Sequence, residues 1–213
     1  FNILNNNSRI YEKLGLNINV SMICVKNKNK DRKFDESKKI PLITDNYLDI
    51  MKKKEINMIV EVMGGIDIPF EIYNASLQYN KHSFITANKA LIANKIKEFK
   101  PNNIKLGFEA AVCGGIPIIS TLKNFYLSDS ISKVSGIVNG TTNFILTKME
   151  KEGLSYNNVL KEAQDLGFAE EDPSADVLGQ DACSKISIIS NLISGIYIDT
   201  KHMYVQGIDK ITD

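Results

Sequence analysis

Tryptophan is absent from the 213 residues, and histidine occurs only as His82 and His202. So few imidazoles argue against a metal centre built from histidine. Cysteine occurs three times, at Cys24, Cys113 and Cys183, with no C-x-x-C pair. An odd, scattered set argues against a disulfide framework and fits a reducing compartment, with each thiol expected as a small buried side chain. No run of about 18 apolar residues is present, so no segment reads as a transmembrane helix. Neither sign of charge dominates: Lys and Arg number 26 against 25 Asp and Glu, a net charge of +1. No global field therefore draws the chain onto nucleic acid or an anionic membrane. The glycine pattern G-x-G-x-x-G occurs nowhere. The chain opens on Phe1, and the stretch to Leu16 reads as the tail of a helix already under way. The natural N-terminus is expected to lie upstream.

What is present is ordinary for a globular protein, with 43% hydrophobic and 24% charged residues. The length suits one large domain or two small ones. In the first half, strand-like and helix-like stretches alternate. Residues 19–25, 57–63, 83–87 and 105–110 read as strands, and 26–39 as a charged, solvated loop. Asp67 with Pro69 marks a helix start running toward Tyr79, and another helix follows from about Asn88. Such alternation predicts βαβ units and a mainly parallel sheet, with ligands at the carboxyl ends of the strands. Met63–Gly65, Thr86–Lys89 and Glu109–Gly115 then fall along one rim.

The second half reads differently. Residues 116–126, 141–151 and 155–166 look helical, and a long helix is expected over 173–194. Residues 133–139 and 203–206 read as strands. Ser155 is a candidate cap, with Gly167 as the stop of that helix. The fold class expected is α/β: a partial Rossmann-type nucleotide-binding domain over 1–103, then an α+β catalytic domain over 104–213.

Several segments have side chains that carry chemistry. In GFAEEDPSADVLGQDACSK, Asp172-Pro173 is a helix start, and Asp181 and Lys185 lie four apart on one face. That face continues through Ile188 and Leu192, so the pair ends an apolar stripe. A lysine near apolar surface has its charged form disfavoured. By spacing alone the pair also reads as a surface salt bridge. GIVNGTT, from Gly136, is either an anion-binding helix start or a plain strand–turn–helix with a Thr cap. TANK places Lys89 just past a strand end, and EAAVCGG offers a carboxylate and bare carbonyls to a hard cation or is a tight turn. Lys26 and Lys28 follow the 19–25 strand and the first acid is Asp31, which leans toward NADP over NAD.

Taken together these segments resemble the homoserine dehydrogenase family. The pattern of an Ala, a later Gly, D-P, an Asp, G-x-D and a Lys stands here as AQDLGFAEEDPSADVLGQDACSK, Ala163 to Lys185. VEVMGG from Val60, TANKALI from Thr86, EAAVCGGIPII from Glu109 and GIVNGTTNFIL from Gly136 appear in the family's order. The resemblance implies NAD(P)-dependent interconversion of L-homoserine and L-aspartate 4-semialdehyde, on the route to threonine and methionine, by a cytoplasmic homodimer. It implies Lys185 as the proton donor and acceptor, with Lys89 between cofactor and substrate. Asp181 and Glu170 would hold the substrate's ammonium group, and Gly140 and Thr141 would position it. Met63, Gly64 and Gly65 would line the cofactor. Glu109 with the carbonyls of Val112, Gly114 and Ile116 would bind a sodium ion. Phe168 departs from family members that carry a Tyr there. The glycine-rich loop and the C-terminal end of the family are expected to lie outside this sequence. A non-catalytic binding module, or one part of a bifunctional kinase–dehydrogenase, is the alternative.

Overall fold

The apolar run 57–63 alternates its side chains between two faces, as an extended chain must. Its strand, Met58–Glu61, buries Ile59 and Glu61 and leaves Met58 and Val60 exposed. The computed structural model describes residues 2–34, 40–100, 102–126 and 128–211. Its strands are β1 (Met22–Cys24), β2 (Leu42–Thr44), β3 (Met58–Glu61), β4 (Ser83–Thr86) and β5 (Lys105–Gly107). All pairings are parallel: β1 with β2 in one sheet, and β3-β4-β5 in another. The helices are α1 (Asn2–Asn6), α2 (Ser8–Lys13), α3 (Tyr47–Met51), α4 (Asp67–Gln78), α5 (Lys89–Lys95), α6 (Ile118–Phe125), α7 (Gly140–Glu152), α8 (Tyr156–Asp165), α9 (Ser174–Val177) and α10 (Gln180–Ser194).

Two hydrophobic clusters hold these elements. The larger gathers Ile72 and Tyr73 of α4, Phe84 of β4, Leu91 and Ile92 of α5, and Phe99, all buried. Tyr73 meets Phe84 and Phe99 edge-on, at 5.4 and 4.6 Å between ring centres. Ile188 and Ile189 of α10 belong to this cluster, although they lie about a hundred residues later in the chain. The smaller cluster joins α7, α8 and α9 through Ile145, Met149, Val159, Ala163 and Val177. The apolar stripe on α10 is thus the surface on which its last turns pack, which fixes where its first turn points.

The alternating first half and its parallel pairing agree with the sequence reading, with additions and corrections. The strand β2 and helix α3 were not foreseen, because 40–51 offered only a short apolar run beside Pro41. Residues 35–39 of the charged loop, with Phe1 and Pro101, lie outside the described residues. The helical N-terminal stretch is two pieces, α1 and α2. The strand expected over 105–110 ends at Gly107 and turns into a 3-10 turn at Glu109–Ala111. Because β5 pairs with β4, the three-stranded sheet crosses the expected division at 103/104.

Residues 133–139 and 203–206 are not strands. Their β-branched composition expresses a preference that needs a neighbouring strand, and none pairs with them among the described residues. The helix expected over 173–194 is broken into α9 and α10 at Gly179, whose φ is +83°. Cys24 is exposed and Cys113 half-buried, so of the thiols expected inside only Cys183 is buried; all three are free. No helix among the described residues is long and apolar enough to cross a membrane.

Gly179 carries two demands at once. Its left-handed conformation disfavours any side chain, and an added Cβ would lie 2.9 Å from Cγ1 of Val205. Gly179→Ala is therefore expected to destabilise the fold by about 1–3 kcal/mol. Urea denaturation reads this, and an unchanged midpoint would contradict the account of the break.

Candidate functional site

The break at Gly179 starts α10 afresh, so that Asp181 stands in its first turn and Lys185 one turn later. Lys185 Nζ lies 2.7 Å from Asp181 Oδ2. The pair is not the surface salt bridge that spacing alone allowed: the Asp181 side chain is 1% exposed and that of Lys185 14%. Lys89, the first residue of α5, donates to Asp181 Oδ1. Asn139 Nδ2 donates to Oδ2 at 2.9 Å. Lys185 also donates to the carbonyl of Val138 at 2.7 Å. Burial alone would push the Asp181 carboxyl up, but hydrogen bonds from Asn139, Lys185 and Lys89 outweigh it and hold the group below the ordinary carboxylate value.

Around this centre a second set of polar groups closes in. Asn139 caps α7, its Oδ1 accepting from Thr142 N at 2.8 Å, where the sequence suggested a Thr cap. Its Nδ2 also reaches Asp176 Oδ1 at 2.7 Å. The Thr141 hydroxyl, buried, lies 2.8 Å from the Phe168 carbonyl and 3.0 Å from Asp176 Oδ2. The backbone amides of Gly140 and Thr141 have no hydrogen-bond partner among the described residues. Glu170 is exposed, and its carboxyl forms no hydrogen bond or ion pair with either lysine; Gln164 holds the backbone there through the carbonyls of Glu170 and Glu171. Phe168 stacks on Phe144 at 4.8 Å, beside a cleft of about 490 Å³ that Gly140 and Lys148 also line.

The strand ends form the rim expected of them. Glu61, 3% exposed, accepts from Met63 N and from Thr86 Oγ1, each at 2.5 Å. Asn88 caps α5 by accepting from Leu91 N and donates to the Gly65 carbonyl at 2.7 Å. The Met63–Gly65 loop is thereby tied to the helix start that carries Lys89. Met63 is 47% exposed and Gly64 and Gly65 have open space where a Cβ would stand, so this backbone is accessible.

Glu109 sits apart from this centre. Its two oxygens accept from Ile119 N and Ser120 N at 2.9 and 2.8 Å, in the first turn of α6. The turn between is tight, with φ of +58° at both Cys113 and Gly114. The Ile116 carbonyl accepts from Ile118 N, while those of Val112 and Gly114 accept no hydrogen bond among the described residues. No group of three or more His, Cys, Asp or Glu side chains that could hold a metal ion occurs among the described residues.

Of the residues singled out in the sequence, Asp181, Lys185, Lys89, Gly140 and Thr141 stand in one neighbourhood. The sequence reading missed Asn139 and Glu61 as parts of the network. Glu61 left a signal, an acid on the buried parity of an otherwise apolar strand; Asn139 left only its place as a cap before a helix.

Comparison with known proteins follows the same lines. Residues 117–213 match the family model described as homoserine dehydrogenase. The chain is 40% identical to the homoserine dehydrogenase of Bacillus subtilis (strain 168) over 99% of its own length and 49% of the relative's. It is 38% identical to that of Neisseria gonorrhoeae over 97% of its length and 47% of the relative's. The chain spans about half the length of the curated relatives it matches. Among solved structures, a homoserine dehydrogenase from Thiobacillus denitrificans superposes with a TM-score of 0.87 at 34% identity, covering 99% of this chain and 49% of that one. A hyperthermophilic archaeal homoserine dehydrogenase in complex with NADPH gives a TM-score of 0.70 at 34% identity, covering 79% and 52%.

The depressed Asp181 carboxyl has a stability consequence with a definite sign. Its contribution is fully present above the unfolded carboxylate value of about 3.9 and is lost as pH falls through the lower folded value. Asp181→Asn is expected to lower stability at pH 7 by on the order of 2–3 kcal/mol, since it leaves two ammonium groups without their shared anion. Thermal unfolding followed from pH 7 to about pH 2 should bring wild type and variant together only below about pH 4. A constant gap across that range would refute the assignment.

Proposed function

We propose, on the premise that the chain belongs through residues 117–213 to the homoserine dehydrogenase family, that the Asp181–Lys185–Lys89 centre exchanges a proton with the C4 oxygen of L-homoserine and L-aspartate 4-semialdehyde. The observation that carries the reading is one buried carboxyl shared by two ammonium groups at the carboxyl-end rim of a parallel sheet. An ammonium has three N–H donors. Lys185 spends two, on Asp181 and the Val138 carbonyl, which leaves one for a substrate oxygen. As oxygen gains negative charge in the reduction, Lys185 gives up that proton, and in the reverse direction it takes the hydroxyl proton. Lys89, on the other oxygen of Asp181, adds a second positive charge at the same place.

The remaining groups suit binding. The amides of Gly140 and Thr141, unpaired among the described residues, meet the substrate's carboxylate at the start of α7. Glu170, open to solvent, takes the ammonium group; Asp181, which already accepts three hydrogen bonds, has room for about one more and joins it there. The accessible backbone at Met63–Gly65, tied to the helix that starts at Lys89, fits the nicotinamide cofactor, which supplies or accepts the hydride when bound. NADP is favoured over NAD because Lys26 and Lys28, both exposed, follow β1. The solved archaeal relative with NADPH supports that class of cofactor. The chain divides near residue 103 into a dinucleotide-binding unit and a catalytic unit, with β5 contributed across the division. A homodimer accounts for exposed apolar side chains such as Ile137, at 78%, and Tyr204, at 89%. Three free thiols fit the cytoplasm.

A sodium ion is the finer proposal for Glu109 and the carbonyls of Val112, Gly114 and Ile116. The carbonyls of Val112 and Gly114, which accept no hydrogen bond among the described residues, and a neighbouring carboxyl suit a hard cation, which would brace the turn between β5 and α6. The melting temperature of the complete protein should rise when sodium chloride replaces N-methylglucamine chloride at equal ionic strength, and Glu109→Gln should reduce that rise. Equal melting curves in both salts would remove the ion from the account.

The role of Lys185 is tested by Lys185→Ala in the complete protein. Its kcat for NADP-dependent oxidation of homoserine should fall on the order of 100- to 10,000-fold with NADP affinity little changed. A variant that keeps wild-type kcat would end the proposal.

A further inference from the structure

Asn139 touches more of this centre than any role yet given it requires. The residue is 8% exposed, and every hydrogen-bonding site of its amide is engaged. Oδ1 faces Thr142 N at 2.8 Å and the Thr142 hydroxyl at 3.0 Å. A backbone N–H can only donate, so the atom facing it must be the amide oxygen. The two hydrogens of Nδ2 then point where they can be accepted, at Asp176 Oδ1 and Asp181 Oδ2. The orientation of the amide is therefore fixed by its neighbours and admits no flip. The adjoining carbonyl, of Val138, receives Lys185 Nζ. Two consecutive residues thus grip both members of the Asp181–Lys185 pair, the acid through a side chain and the lysine through the backbone.

We propose that Asn139 is a positioning residue: by capping α7 with its amide oxygen while donating to Asp181 with its amide nitrogen, it locks the start of α7 to the carboxyl that orients Lys185 and Lys89. This rests on the proton-exchange role given above to Lys185. The coupling has a physical purpose. Asp181 Oδ2 has two donors, Lys185 and Asn139, and a carboxyl held from both sides cannot rotate about its Cβ–Cγ bond to release the lysine. The same cap sets the height of α7, whose Gly140 and Thr141 amides, unpaired among the described residues, follow immediately. The group that holds the proton carrier and the backbone that meets the substrate are thereby kept in fixed relation.

The charged groups in contact with Asp181, directly or through Asn139, are few. Lys185 comes from α10 itself and Lys89 from α5, while Asp176 of α9 reaches it through Asn139; α6 and the 3-10 turn at Thr200–His202, also packed on α10, place no charged side chain in contact with it among the described residues. Loss of the Asn139 donor leaves only the two lysines to hold the carboxyl ionised. It then titrates higher, and activity fails at a higher pH as acid is added.

The test uses Asn139→Ser and Asn139→Asp in the complete protein, beside Lys185→Ala. Serine and aspartate both remain good caps for α7, so the helix is retained while the donor to Asp181 is lost. For Asn139→Ser, kcat for homoserine oxidation should fall on the order of 10- to 100-fold, while KM for NADP changes less than about 3-fold. For reduction of the semialdehyde, the direction in which Lys185 acts as the acid, the acid limb of the kcat/KM profile should move to higher pH. Asn139→Asp, which turns a donor into an acceptor beside two acids, should lose at least as much. An unmoved acid limb and wild-type kcat in Asn139→Ser, with Lys185→Ala inactive, overturn the inference about Asn139 and leave the role of Lys185 standing. Full activity in Lys185→Ala overturns both.

Discussion

One buried carboxyl organises this molecule. Asp181 is almost wholly withdrawn from water, and a bare carboxylate there would be costly to ionise. It stays ionised because three donors from three separate stretches of chain converge on it: Asn139 before α7, Lys89 at the head of α5 and Lys185 one turn further along α10. Removing the carboxyl would leave two ammonium groups pressed together. The arrangement is therefore stable only as a whole, and it brings together stretches that the sequence places far apart.

The fold supplies the geometry that such convergence needs. The later turns of α10 are anchored by Ile188 and Ile189 in the core built on β4, α4 and α5. That anchoring points the first turn of α10 at Lys89, the first residue of α5. Gly179, in a left-handed conformation, separates α9 from α10 and lets Asp176 turn back toward Thr141 and Asn139. On the other side, the buried Glu61 ties Met63 to Thr86, and Asn88 ties Gly65 to the cap of α5. Rim and acidic centre are thus two hydrogen-bond networks that meet where Asn88 is followed by Lys89 at the start of α5.

Much of this was readable before any coordinates. Helical spacing put Asp181 and Lys185 on one face, and strand–helix alternation put Met63–Gly65 and Lys89 on one rim. Periodicity could not say that Lys89 and Asp181, 92 residues apart, would share a bond, because that depends on the packing of α5 against α10. It also could not tell a buried pair from a solvated one, since the spacing is the same in both. The break at Gly179 was in view as a glycine inside a helical pattern and was overridden by the apolar periodicity on either side. The strands expected at 133–139 and 203–206 failed for a different reason: composition reports a preference, and a strand needs a mate.

The most direct test of the central claim is a crystal structure of the complete protein with L-homoserine and a non-reactive NADP analogue bound. The account predicts Lys185 Nζ within about 3 Å of the C4 oxygen of homoserine, with its bonds to Asp181 and the Val138 carbonyl intact. A substrate oxygen met by some other group, with the Lys185 ammonium turned away from it, would contradict the account.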